Sequence, residues 1–429
     1  MKTTKYLLIS LIMCILFFNL LSCVRSSEST TSTTEKTKKE SSITSSTSVQ
    51  DVFELDYTFS LESSIYNHAK TQLSLLEENM HNNYLVEGDS IISKRANLWT
   101  YGAYFTMASR LARYDASDEN IAILNNAVEE LEWYRVKDRT DNHTVYASNN
   151  GEEKPAFYDD NIWLVLGFIN AYKATQNIDY LNSAKSIMDW IYDGESTLGG
   201  IYWREFDALE LDSVKQRNTC INGPAAYASL LLYEITSDSF YLNKGVRLYH
   251  WTRNNLYDKQ NKVYWDNIKD NGSIDKNTFT YNTGTMLSSA VYMYRNMGLD
   301  IYLDDIKNIL EGSYNVFVIP GMFSSVEDGE FILNNPWFNL YLYQGYFDVF
   351  KYIDYNYGKR LENVKKAIIY GLNNNLNSKG FIKEDWSGRR DDEHGYITQT
   401  KYLSAQIETM IILCDYQDTI TKLLEKWKK

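Results

Sequence analysis

Residues 157–172 read FYDDNIWLVLGFINAY, two adjacent aspartates followed by a long apolar segment. Apolar residues recur here at the spacing of a helix that is buried almost all round, which predicts an inner helix of an all-helical fold. Only 4 of the 429 residues are prolines, which break helix interiors, so the whole chain favours helices. The two carboxylates repel each other at the start of this helix, and they stand there either as a cap or as a pair that does chemistry.

Segments of the same apolar kind recur along the chain. They begin near Leu98, Asn161, Ile221, Asn282, Trp337 and Thr400, about 55 to 63 residues apart. More polar, amphipathic segments lie between them, at residues 118–136, 178–192, 240–256 and 357–374. Six hairpins of one inner and one outer helix, with an early helix near residues 61–80 completing the outer ring, predict an all-α (α/α)6 barrel. An open tetratricopeptide-like array is disfavoured because its period is about 34 residues.

The N-terminus predicts export from the cytoplasm. Lys2 and Lys5 precede an apolar run of about 16 residues, which ends in Leu-Leu-Ser-Cys at residues 20–23. This ending resembles a bacterial lipobox, in which the cysteine becomes the lipid-modified first residue of the mature protein, here Cys23. A plain secretory signal is the alternative.

These features divide the chain into three parts. We expect residues 1–22 to be a lipoprotein signal peptide. Residues 23–52, rich in Ser, Thr, Lys and Glu, are expected to be a disordered tether because they contain too few apolar residues to form a core. Residues 53–429 are expected to form the barrel domain. The protein would then lie in the bacterial cell envelope outside the cytoplasm, on the surface or in the periplasm, with the lipid anchor as its only membrane contact.

Charge and composition restrict the partners. The chain has 43 basic and 56 acidic residues, a net charge of -13, which disfavours nucleic acid as a ligand. Its 35 Tyr, 17 Phe and 10 Trp suit a polysaccharide, whose C–H faces stack on aromatic rings. Cys220, Cys414 and the five histidines show no metal-ligand spacing, so we expect no metal and no cofactor. The two cysteines are expected to be small buried residues, although a disulfide between them is possible; a monomer is expected.

Three acidic pairs could supply catalytic carboxyl groups. The pair Asp304–Asp305 falls in an outer helix and is expected to face solvent or to support the first turn, and Asp391–Asp392 is expected in a surface loop beside arginines. The pair Asp159–Asp160 instead stands among aromatic residues. From the residues alone, a helix cap explains it more often than catalysis does. Catalysis becomes plausible because partial burial and mutual repulsion would drive the two pKa values apart, as an acid and a nucleophile require.

The segment 157–172 resembles the signature of glycoside hydrolase family 76, the α-1,6-mannanases. The resemblance continues in GGIYWR (199–204), NTCINGPAAYASLLLYEITSD (218–238), YLNKGVRLYHW (241–251), VYWDNI (263–268) and TYNTGTML (280–287). It covers about residues 97–414 in order and implies the same (α/α)6 fold.

The resemblance also implies a function. It predicts a retaining, endo-acting hydrolase of α-1,6-mannan with Asp159 as nucleophile and Asp160 as general acid/base. It further implies that sugar-binding residues surround the cleavage point, namely Tyr158, Tyr202, Trp203, Asn218, Asn222, Trp265, Tyr281 and Asn282. Of these, Tyr202, Trp203 and Trp265 would supply stacking faces. Two alternatives are another (α/α)6 enzyme, such as an unsaturated uronyl hydrolase, and a non-catalytic glycan-binding surface lipoprotein.

Overall fold

The computed structural model describes residues 62–79, 84–87, 90–151, 156–205, 215–318, 331–332, 335–388 and 399–427. The signal peptide, the tether, Cys23 and the Asp391–Asp392 pair lie outside the described residues, and what the sequence predicts for them stays a prediction. Within the described part of the chain, no helix combines the length and the hydropathy needed to span a bilayer.

The described residues form twelve α-helices in antiparallel hairpins. Their bounds are α1 Glu62–Asn79, α2 Leu98–Tyr114, α3 Asp118–Leu131, α4 Tyr158–Thr175, α5 Ile178–Asp193, α6 Thr219–Thr236, α7 Ser239–Leu256, α8 Thr280–Met297, α9 Asp300–Phe317, α10 Pro336–Tyr352, α11 Gly358–Asn374 and α12 Thr400–Trp427. Each even-numbered helix starts within three residues of an apolar segment predicted from the sequence.

The even-numbered helices close into a ring. Neighbours along the chain, from α2 to α12, pack against each other, and α12 packs back against α2. The odd-numbered helices lie outside this ring: α3, α5, α7, α9 and α11 each pack on the preceding even-numbered helix, and α1 packs on α12. The inner helices are buried almost all round, whereas the outer ones bury a single stripe. The predicted (α/α)6 barrel is confirmed.

The rim where the inner helices begin also carries strands, which the sequence analysis did not predict. They are β1 Tyr84–Glu87, β2 Ser90–Arg95, β3 Gln216–Asn218, β4 Tyr257–Asp258, β5 Val263–Lys269 and β6 Ile274–Thr278. The first two form a hairpin, and β5 pairs antiparallel with β3, β4 and β6. The β5–β6 turn uses Gly272 at a φ of 83°, a conformation that glycine adopts without strain. These strands are too short to show an alternating pattern of their own, and the helical periodicity of the flanking segments dominates the sequence around them.

The acidic pair of α9 differs from the prediction at one of its two positions. Asp304 is exposed, but Asp305 is only 5% exposed. The Asp305 carboxylate accepts hydrogen bonds from Nε and Nη2 of Arg253, both at 2.7 Å, and from the Tyr249 hydroxyl at 2.7 Å. Successive residues of a helix point about 100° apart, so one member of an adjacent pair faces the barrel while the other faces water.

Replacing Asp305 by alanine should lower the free energy of unfolding by about 3 kcal/mol, because Arg253 and Tyr249 lose the carboxylate that neutralises and satisfies them. Its neighbour gives a matched control, since Asp304→Ala removes an exposed carboxylate and should cost less than about 0.5 kcal/mol. Urea denaturation of both variants measures the difference. Equal costs would show that the Arg253–Asp305 pair contributes nothing to stability.

Candidate active site

The two aspartates of segment 157–172 occupy the first turn of α4, half-buried at the rim of the barrel. The N-cap position itself is held by Phe157, which has no side-chain acceptor. Asp159 takes over part of the capping role, because its Oδ1 accepts the backbone N–H of Asp160 at 2.9 Å. The expected N-cap role is therefore wrong, since neither aspartate is the N-cap, whereas both do lie in the first turn as expected. The other oxygen of Asp159 has different partners.

The second oxygen of Asp159 faces two donors that come from distant parts of the chain. The indole N–H of Trp203 donates to Oδ2 at 2.7 Å, and the thiol of Cys220 lies 3.6 Å from the same oxygen. Burial raises the pKa of Asp159 to about 6, while the Trp203, backbone and Cys220 donors act against that rise. Trp203, predicted as a stacking face, is thus a hydrogen-bond donor to the carboxylate.

Asp160 has a poorer set of donors. Within the described residues, its carboxyl receives one side-chain hydrogen bond, from the Ser148 hydroxyl to Oδ2 at 3.1 Å. Burial raises the pKa of Asp160 well above its usual range, and the negative charge of Asp159 raises it further. The two groups titrate as a pair, and Asp159, which has more hydrogen-bond donors, loses its proton first. Over the interval between the two pKa values, Asp159 is ionised and Asp160 is protonated.

A third carboxyl group, Asp266 of β5, lies close by and was missed in the sequence analysis. Its oxygens accept hydrogen bonds from Asn267 Nδ2 at 2.9 Å and from Asn282 Nδ2 at 3.3 Å. Its charge raises the pKa of Cys220, the residue that contacts Asp159. Burial raises the pKa of Asp266 itself. The VYWDNI motif contains this residue, but only its tryptophan was selected, because the strand was not recognised.

Aromatic rings fill the axis of the barrel beneath the aspartates. Trp163, one helical turn after Asp159, packs against Tyr341 of the facing helix α10 with ring centroids 4.3 Å apart. The Trp337 ring lies 5.0 Å from Trp163, and Tyr281 lies 6.2 Å from it. We refer to the packed rings of Trp163, Tyr281, Trp337 and Tyr341 as the aromatic floor.

Two of the predicted sugar-binding residues are instead structural. Tyr158 is 2% exposed and packs on Trp190 of α5, with ring centroids 4.4 Å apart. Asn222 is fully buried: its Oδ1 accepts the Ile201 backbone N–H at 2.7 Å, and its Nδ2 donates to the carbonyls of Ile201 and Asn218, both at 2.9 Å. Asn222 therefore holds the loop that carries Trp203.

Two further predicted stacking residues have other partners. The Tyr202 hydroxyl donates to Asp270 at 3.0 Å. The Trp265 indole donates to Asp258 at 3.2 Å, and Lys276 covers the Trp265 ring at 4.9 Å. Lys215 covers one face of the Tyr202 ring at 5.4 Å, and the stacking roles predicted for Tyr202 and Trp265 stay predictions.

The remaining predicted residues lie at or near the carboxyl groups. Tyr281 is 9% exposed. Burial raises the pKa of its hydroxyl, and the nearby charges of Cys220, Asp266 and Asp159 raise that pKa further. Asn282 contacts Asp266, as described above. Asn218 is buried at the start of α6, directly before the segment that carries Cys220. Cys220 and Cys414 are both buried, and no disulfide joins them. Among the described residues, no group of three or more His, Cys, Asp or Glu side chains is placed to hold a metal ion.

Comparisons with known proteins identify the family. The model of glycosyl hydrolase family 76 matches residues 61–415. The mannan endo-1,6-α-mannosidase of Candida glabrata is 27% identical over 127 residues, which is 28% of this chain and 28% of that protein. This chain therefore spans about a quarter of the length of that curated relative in the matched region.

Two solved structures share the fold. The family 76 α-mannanase of Bacteroides thetaiotaomicron has a TM-score of 0.71 at 24% identity, covering 83% of this chain and 97% of that one. An inactive variant of the α-1,6-mannanase of a Salegentibacter species, with two adjacent aspartates replaced by asparagine and α-1,6-mannotriose bound, has a TM-score of 0.61 at 23% identity, covering 81% and 99%. Because the family match extends over most of the chain and accounts for the closed helical ring, the protein belongs to glycoside hydrolase family 76.

Proposed function

We propose that the protein hydrolyses α-1,6-mannosidic linkages within mannan chains and retains the anomeric configuration. Family membership supplies the reaction class, glycoside hydrolysis. The linkage is supported by the Candida glabrata relative, a mannan endo-1,6-α-mannosidase, and by the Salegentibacter α-1,6-mannanase. The single observation that carries the proposal is the unequal environment of two adjacent carboxyl groups in one rim cleft.

Asp159 suits the role of nucleophile. It has donors on both oxygens, which favour the ionised form, and the lower pKa of the pair. The Trp203 hydrogen bond also fixes the orientation of the carboxylate, so that attack requires little rearrangement. The inactivity of the Salegentibacter variant that lacks two adjacent aspartates is consistent with this role.

Asp160 suits the role of general acid and base. Its higher pKa keeps a proton on the carboxyl while Asp159 is ionised. In the first step Asp160 gives that proton to the glycosidic oxygen, the bond from the anomeric carbon to that oxygen breaks, and Asp159 forms an ester with the carbon. In the second step the Asp160 carboxylate takes a proton from water, and the resulting hydroxide displaces Asp159. Two inversions give net retention.

Asp266 and Tyr281 are the residues that we expect to contact the sugar beside the nucleophile, whereas Asn282, predicted as a sugar ligand, is fully buried and holds the Asp266 carboxylate. The half-buried Asp266 carboxylate is oriented by two amide groups and is still accessible to a hydroxyl donor. The Cys220 thiol contacts Asp159, and burial raises the pKa of this thiol, so it stays protonated. We expect Cys220 to position the Asp159 carboxylate and not to act as a nucleophile.

The Trp203→Phe variant should show a shifted pH profile. Loss of the indole donor raises the pKa of Asp159 from about 6, so the acidic limb of kcat/KM, where the nucleophile becomes protonated, should move up by about 1 pH unit. The measurement is kcat/KM on α-1,6-mannotetraose from pH 4 to 8. Tyr202→Phe is the matched control, because its hydroxyl faces Asp270, and it should leave the limb in place. If both variants keep the pH profile of the parent, the Trp203 hydrogen bond does not set the pKa of Asp159.

Product analysis tests the proposed function itself. Incubation of the purified protein with α-1,6-mannan should release a ladder of oligosaccharides before mannose accumulates, and NMR should detect the α-anomer first. No release of sugar from mannan, together with breakdown of an oligosaccharide that ends in an unsaturated uronyl residue, would point to the unsaturated uronyl hydrolase alternative. Binding of mannan without any release of sugar would point to the glycan-binding lipoprotein.

The cellular location belongs to the same proposal. The lipobox-like sequence supports lipidation of Cys23, a lipid anchor as the sole membrane contact, and a place in the bacterial cell envelope outside the cytoplasm, with a monomeric catalytic domain. Cys23→Ala should move the protein from the membrane fraction to the soluble fraction without changing its activity. Retention of the variant in the membrane fraction would contradict the anchor.

A further inference from the structure

A second cavity lies in the barrel, on the opposite side of the aromatic floor from the aspartates. Its volume is about 640 Å³, part of which is open to solvent, and it is lined by side chains of all six inner helices. Tyr341 belongs to both regions, because its ring contacts Trp163 beneath the aspartates and also lines this cavity. The site described above uses none of the charged residues found here.

Three cationic side chains line the cavity, and only one of them is neutralised. Arg110 is buried and pairs with Glu408, with Nε and Oε1 2.9 Å apart. Arg113 donates from Nη1 to the neutral Asn170 side chain at 2.8 Å. Within the described part of the chain, neither Arg113 nor Lys173 forms an ion pair with a carboxylate, and the Lys173 amine forms no hydrogen bond.

Unpaired cations in an enclosed site reduce stability. Burial, together with the charges of Arg113 and Arg110, lowers the pKa of Lys173 to about 7, and the opposing charges of Glu234 and Asp348 only partly compensate the ammonium form. An anion between the two side chains would supply the missing charge. The same anion would raise the pKa of Lys173 again.

Tyr227 adds a third donor. The residue is 7% exposed and lines the cavity, and its hydroxyl forms no hydrogen bond with any described residue. The charges of Asp348, Arg110 and Arg113 all act on this hydroxyl, which places it among them. A guanidinium, an amine and a hydroxyl converging on one cavity make a donor set suited to the oxygens of an oxyanion.

Two carboxyl groups line the cavity: Glu408 is paired with Arg110, and Asp348 must be reconciled with a bound anion. Asp348 is 2% exposed, and its Oδ1 accepts a hydrogen bond from Gln344 at 2.9 Å. Burial raises the pKa of Asp348, so the group can hold a proton. A protonated Asp348 would donate to the anion instead of repelling it.

We propose that this cavity is a binding site for a small oxyanion of the size of phosphate, held by Arg113, Lys173 and Tyr227. The site is separate from the catalytic cleft, whose three carboxyl groups repel anions. The inference does not depend on the proposed mannanase activity, because the binding is measured without any sugar.

Titration calorimetry of the purified protein with inorganic phosphate tests the proposal, at constant ionic strength against sodium chloride. We expect saturable binding that weakens at least about tenfold in Lys173→Met and in Arg113→Gln, because each change removes a charge-assisted hydrogen bond. Lys307→Met, which removes an exposed lysine of α9, should bind as the parent does. Sulfate carries no exchangeable proton at pH 7.5, so it reports on the protein alone: titrations with sulfate in buffers of different ionisation enthalpy should reveal proton uptake on binding, and this uptake should be smaller in Lys173→Met.

Without phosphate, Lys173→Met should be at least as stable as the parent, because it replaces a desolvated amine by an apolar side chain. Thermal unfolding of this variant therefore separates a lost site from a damaged fold. The proposal is overturned if phosphate produces no saturable heat beyond that of chloride, or if Lys173→Met and Lys307→Met bind phosphate equally well.

Discussion

Replacing Asp159 by asparagine should reduce the turnover of α-1,6-mannan by at least about 10⁴-fold, because the amide cannot form the glycosyl ester on which the first step depends. The affinity for mannan should change far less, since the rest of the cleft is retained. Release of reducing ends measures turnover, and titration with α-1,6-mannotetraose measures binding. A variant that keeps a tenth of the parent activity would exclude Asp159 as the nucleophile.

The same variant should be more stable than the parent at pH 7, which excludes misfolding as the cause of inactivity. The folded-state pKa of Asp159 is about 6, above the usual value of 3.8, so folding favours the protonated form. The cost of holding the ionised group is therefore fully present above about pH 6, and it disappears as the pH falls below 3.8. The gain in Tm for Asp159→Asn should shrink between pH 7 and pH 4. A gain that is constant with pH would show that the carboxylate environment is not the cause.

Replacing Asp160 by asparagine should have a different signature. Turnover of mannan should fall by about 10²- to 10⁴-fold, because the leaving oxygen is no longer protonated. A dinitrophenyl α-1,6-mannobioside, whose leaving group needs no proton, should still form the glycosyl ester, which then reacts slowly with water. Azide needs no general base, so it should restore turnover.

The configuration of the azide product tells the two aspartates apart. Asp160→Asn should give the α-mannosyl azide, because azide displaces Asp159 from an intermediate of inverted configuration. Asp159→Ala with azide should give the β-product by a single displacement. NMR of the products measures the configuration. If Asp160→Asn gave the β-azide and Asp159→Ala gave the α-azide, the nucleophile would be Asp160.

The helical ring was predictable because each inner helix is buried almost all round and repeats at a constant period. Segments near Leu98, Trp337 and Thr400 could be placed to within a residue, since long apolar periodicity is the strongest local signal. The direction in which an individual side chain points was harder to predict from the sequence. Tyr158 and Asp159 are neighbours in sequence, but a helix turns about 100° per residue, so Tyr158 packs on α5 while Asp159 faces the cleft.

The partners of the aspartates could not be read from the sequence. Trp203 and Cys220 reach Asp159 from 44 and 61 residues away, one from a loop and one from another helix. Asp266 enters the site on a strand that the helical pattern concealed. Such contacts depend on how the rim loops fold over the barrel, and no local spacing encodes them. The paired aspartates were identifiable because both members lie in one motif.

The account depends most on the assignment of the covalent bond to Asp159, and mass spectrometry of a trapped intermediate tests it directly. Asp160→Asn, quenched in acid after brief reaction with the dinitrophenyl mannobioside, should carry one mannobiosyl group, and tandem spectra of the peptide spanning residues 157–172 should place that group on Asp159. A sugar attached elsewhere, or rapid turnover without any adduct and with inverted product, would contradict the mechanism.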